Sequence, residues 1–155
     1  MRLLLALAAT SLCLSPFAAS AGINEASFLA SLPGKWTGSG TVGTAATPMP
    51  CTLTLWGKDK INFSGQCNAG QYGQQTYKGV LTYDEKAKRY VARAGGTTVA
   101  GNKSGGGVVF KFPLKTMAGP GHTVMSVSAN KITIEFSVTQ DSGETLNLHV
   151  AFAKP

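Results

Sequence analysis

Residues 131–140 read KITIEFSVTQ, in which Ile132, Ile134, Phe136 and Val138 alternate with polar or charged neighbours. Successive side chains of a strand point to opposite faces, so this period-two pattern describes a strand with one buried face and one wet face. The same alternation returns at Leu146, Leu148, Val150 and Phe152, and at Trp36, Gly38, Gly40 and Val42. Residues 76–83, 89–94, 108–111 and 122–129 complete the set of strand-like runs. They are separated by turn signals such as Asp84-Glu85-Lys86-Ala87-Lys88 and Asp141-Ser142-Gly143. The one helical signal comes early, where Asn24 can cap two turns over residues 24–32 before Pro33-Gly34 stops them.

Eight or nine antiparallel strands joined as successive hairpins are expected. The glycine-rich residues 95–107 read as a flexible loop or an interrupted edge strand, and residues 112–122 as a second long connection. Closing the sheet on itself removes exposed strand edges. The expectation is therefore an all-β fold, a single up-and-down antiparallel β-barrel of about eight strands with a short N-terminal helix. A two-sheet β-sandwich is the alternative.

Two of these strands specify their own register. Cys51, Leu53 and Leu55 share one face, as do Ile61, Phe63, Gly65 and Cys67. If Cys51 lies opposite Cys67, then Leu53 faces Gly65, Leu55 faces Phe63, and a three-residue loop connects the strands. Cysteines directly opposed at a non-hydrogen-bonded pair are within bridging reach, so a Cys51–Cys67 disulfide is expected.

The N-terminus supports the oxidising compartment that such a bond needs. Arg2 precedes an apolar run, Pro16 breaks it, and Ala19-Ser20-Ala21 is a small-x-small cleavage site. Residues 1–21 are read as a signal peptide and residues 22–155 as one β-barrel domain, exported to the periplasm or secreted. Cys13 leaves with the signal, so two cysteines remain. No later segment approaches the roughly 20 apolar residues of a membrane-spanning helix, so no integral membrane segment is expected. Losing Arg2 lowers the formal charge from +7 to +6. The cations are scattered along the chain and form no stripe, whereas nucleic-acid binding calls for a basic patch, which argues against nucleic acid as a partner. His122 and His149 have no ligand-like spacing to the cysteines, so neither a metal nor a cofactor is expected.

The short helix followed by Gly34-Lys35-Trp36 at the start of a meander barrel resembles the calycin group of lipocalins, avidins and fatty-acid-binding-like proteins. The resemblance implies that Trp36 sits at the closed end of the barrel, covered by a basic side chain from the last strand. Lys154 is the candidate cover. Two narrower likenesses follow. Bacterial alkaline-metalloprotease inhibitors share export, a G-x-W start and a disulfide near the second and third strands, and they plug their protease with an N-terminal trunk. Residues 22–27 would have to be extended to do the same here. Nitrobindin-like haem barrels share the G-x-W-x-G-x-G start, here Gly34 to Gly40, and use a histidine near the last strand. The parity of His149 opposes that of Leu148 and Val150, so it should face solvent instead of a haem.

Enzyme signals are missing from this reading. Neither histidine accompanies a nucleophile signature, and Asp84-Glu85 falls in a lysine-rich turn. The expected function is that of a non-enzymatic binding protein, a calycin-like carrier of a small apolar ligand. The first alternative is a protein-binding module such as a secreted or periplasmic protease inhibitor, and the second is a haem-binding barrel. Met49, Leu114 and Met117, apolar residues on expected loops, are the candidates for a ligand mouth. Trp56 and Tyr77 are secondary candidates; Trp56 points away from Leu53 and Leu55 and reads as an exposed contact residue.

Overall fold

A computed structural model describes residues 24–43, 48–68, 70, 73–116 and 119–155, with backbone alone at 114–116. The expected signal segment, including Cys13, lies outside these residues. Within them, helix α1 (Glu25–Ser31) is followed by ten strands. These are β1 (Gly34–Val42), β2 (Met49–Trp56), β3 (Lys60–Asn68), β4 (Gln74–Asp84) and β5 (Arg89–Ala94). Then come β6 (Thr97–Ser104), β7 (Gly107–Thr116), β8 (Gly119–Ser128), β9 (Lys131–Thr139) and β10 (Thr145–Ala153). Each strand pairs antiparallel with the next, and β1 pairs with both β2 and β10, so the sheet closes into an up-and-down barrel. The sandwich is not adopted.

The strand count corrects the expectation of about eight. Residues 95–107 are not a loop: they hold the Gly95-Gly96 turn, the whole of β6, and the turn into β7. The long connection expected at 112–122 is mostly the paired ends of β7 and β8, in register from Phe112↔Thr123 to Thr116↔Gly119. Glycine hides the alternation in both places. Gly101 faces the interior opposite Phe110, and a Cβ added there would run into the Phe110 ring and Val108. The aromatic ring occupies the volume that the glycine leaves vacant, so this glycine completes a packed strand pair instead of breaking one. Gly79 does the same for Phe63 directly across the β3–β4 pair.

The cysteine register holds. Cys51 pairs with Cys67, Leu53 with Gly65 and Leu55 with Phe63, and the two cysteines are disulfide-bonded with their Cα atoms 4.1 Å apart. That separation is the close spacing of a non-hydrogen-bonded pair.

Helix α1 closes one end of the barrel. Asn24 caps it, its side chain accepting from the Ser27 amide at 3.0 Å. Its inner side buries Phe28 and Leu29, and Phe28 meets Tyr90 of β5 edge-on at 5.3 Å between ring centroids. Glu25 accepts a hydrogen bond from Lys103 of β6, which holds its carboxyl below the usual carboxylate range. Trp36 is fully buried beneath the helix, its Nε1–H donating to the Leu32 carbonyl at 3.1 Å. Above the ring, 5.1 Å from its centroid, lies the Lys154 ammonium, which also donates to the Ser31 carbonyl at the helix C-terminus.

Candidate binding cavity

The opposite end of the barrel is built from the end of β1, the start of β2, the end of β3 and so on around the sheet. This end is not filled. A cavity of about 580 Å³ opens there. Its walls come from the inward faces of strands all round the barrel, among them Met49, Phe112, Phe136, Leu148 and Val150. Phe63, Tyr77, Met125 and Ile134 line both this cavity and a void of about 20 Å³ beneath it. Those four side chains therefore form the floor between the open space and the packed base.

The floor explains a glycine and a tyrosine. Tyr77 lies opposite Gly65, and a Cβ on Gly65 would strike its ring. With that space clear, Tyr77 reaches over β3 so that its hydroxyl donates to the Thr52 carbonyl on β2 at 3.3 Å. The hydroxyl also stands 4.0 Å from Cys67 Sγ, and the ring tilts against Phe152 at 6.2 Å. Burial pushes the Tyr77 phenol well above its ordinary value, so the group enters the cavity wall as a neutral hydroxyl. Cys67 lines the cavity as well, which makes the disulfide part of its wall.

Polar groups gather at the rim, where Gln75, Thr76, Lys78 and Thr123 border the opening. Among the described residues no charged side chain is buried, and no group of three or more His, Cys, Asp or Glu could hold a metal ion. His149 lies on the outer wall with Nδ1 3.7 Å from Glu135 Oε1, in a separate shallow depression that His122 also borders.

The residues singled out from the sequence divide between the two ends. Trp36 and Lys154 meet at the closed end, and Cys51 and Cys67 lie toward the open end. Met49 is buried and lines the cavity. Leu114 takes a register position on β7 opposite Gly121, with its side chain outside the described residues, as is all of Met117. Trp56 is about half exposed, on the outer face. Sequence reasoning gave Tyr77 only as a secondary candidate and missed the floor residue Met125 and the rim residue Lys78. The legible signal for Tyr77 was a glycine directly across a hairpin, the space into which a large ring can lean.

No protein-family model matches the sequence, and no curated protein matches it either.

Proposed function

We propose that this protein is an exported carrier of a small apolar molecule, held in the open half of the barrel, and that it performs no chemistry on its cargo. The observation that carries the reading is the apolar cavity of about 580 Å³. Small-molecule sites commonly span about 300–1,000 Å³, with mostly apolar walls and a few convergent polar groups. Ten strands make a wider barrel than eight, and a wider barrel leaves more interior than side chains fill. Trp36, Lys154 and α1 act as the barrel's stopper, so cargo enters at the opposite end. Export is supported by the leader-like N-terminus and by the disulfide. The inhibitor alternative draws on an extended N-terminal trunk, yet Asn24 and the residues after it are engaged in capping and forming α1.

Native mass spectrometry of protein purified from its own host should reveal a stoichiometric apolar passenger. A neutral fluorescent reporter such as 1-aminoanthracene should bind the emptied protein at one site. Ala94→Trp, which places a large ring at the cavity rim, should weaken the reporter at least tenfold with little change in melting. Preparations that never carry a passenger, together with reporter binding indifferent to Ala94→Trp, overturn the reading.

A further inference from the structure

Lys78 occupies a position that its strand alone does not explain. On β4 it lies between inward-facing Tyr77 and Gly79 and opposite Ser64 of β3, so the pleat directs it to the outside of the barrel. It nevertheless borders the cavity. The reason lies in unequal strand lengths. Strand β4 starts at Gln74, but its pairing with β5 starts only at Gly79↔Ala94, after which the chain turns at Gly95 and Gly96 into β6. Strand β6 pairs with β7 from Gly101↔Phe110 to Ser104↔Gly107, whereas β7 continues to Thr116. Among the described residues, 97–100 of β6 are thus joined to β5 alone. The barrel wall is notched beside the tip of the β5–β6 hairpin, and residues 74–78 of β4 form one side of the notch.

An outward lysine on the edge of a notch can turn its ammonium to the cavity rim without being buried. Lys78 is exposed, and it is the one charged side chain bordering the cavity among the described residues; no carboxylate lines it. Below the rim the walls are apolar, so a buried charge on the cargo would meet no counter-ion there. The site thus selects at two levels: an uncharged apolar body in the depth, and negative charge at the notch, where Gln75 and Thr76 add polar groups beside the ammonium.

We infer that the cargo is an anionic amphiphile, its apolar body resting on Phe63 and Met125 and its carboxylate or phosphate head held at the notch by Lys78. This rests on the carrier reading above and adds the chemical class of the ligand.

Reporter displacement by dodecanoate, dodecyl phosphate and dodecanol at low ionic strength tests it with the full exported chain. Either anionic probe should bind about two- to fivefold more tightly than the alcohol, the scale of one exposed ion pair. The preference should shrink as salt is added. Lys78→Glu should abolish or reverse it while dodecanol binds as before. Lys86→Glu, the same charge change on the β4–β5 turn at the closed end, should leave it intact. Comparing the two anionic probes assigns the head as carboxylate or phosphate. Equal affinity for alcohol and anions, or a preference that survives Lys78→Glu, overturns the head-group assignment while dodecanol binding leaves the carrier reading standing. If none of the probes displaces the reporter, both fall.

Discussion

Lys154 is the residue through which the last strand, the first strand and the helix are tied together, and Lys154→Met isolates its charge. Methionine keeps an apolar stem of similar length and removes the ammonium. Three interactions go with it. The contact over Trp36 is worth about 0.5–2 kcal/mol. The charged hydrogen bond to the Ser31 carbonyl is worth about 1.5–3 kcal/mol. A cation near a helix C-terminus adds about 0.3–1 kcal/mol, and α1 has none in its own last turn. One ammonium makes all three contacts, and it is only partly buried, so they overlap and the net loss should be about 2 kcal/mol. For a domain of this size that corresponds to a melting point lower by about 8 °C. Urea unfolding followed by far-ultraviolet circular dichroism should show a lower midpoint at unchanged slope. Lys154→Arg should retain most of the stability, since guanidinium also stacks on an indole and donates to a carbonyl. The reasoning fails if Lys154→Met costs less than about 0.5 kcal/mol. It fails equally if Lys154→Met and Trp36→Phe prove strictly additive, because residues in contact should show coupling.

Two further outcomes follow from the core. The disulfide closes a loop with a sequence separation of 16, so the double variant Cys51→Ser, Cys67→Ser should lose about 3 kcal/mol yet still fold; a variant as stable as the parent refutes this. Tyr90 is fully buried and its hydroxyl has no hydrogen-bond partner, so Tyr90→Phe should be neutral or stabilising by up to about 1 kcal/mol. Burial raises the Tyr90 phenol from 10.0 to about 12, which favours the neutral form in the native state. That stability is complete below the unfolded value and is lost as pH rises from about 10 toward 12. Denaturation midpoints measured across this range should fall less steeply for Tyr90→Phe, and identical alkaline profiles would count against the assignment.

The sequence was most legible where two independent patterns agreed. At β2–β3 the parity of the apolar residues and the placement of Cys51 and Cys67 select the same register, and a slip of one residue would have turned every inward side chain outward. At β9 and β10 the apolar alternation is unbroken, so Ile132 and Phe152 could be placed inside from their spacing alone. Residues 95–107 failed for a definable reason: glycine carries no hydrophobic signal, so an inward Gly101 reads as a loop until Phe110 is known to lie across from it.

The alternation by itself determined an antiparallel, meandering all-β chain with Trp36 facing inward at its start, because side-chain parity is a local property of the strand. It could not determine that ten strands close the barrel, since the count turned on glycines whose missing side chains are supplied by neighbouring strands. Nor could it place Lys78 at the cavity rim. Its parity pointed it outward, and only the unequal lengths of β4, β5 and β7, set by pairing across the sheet, open the wall beside it.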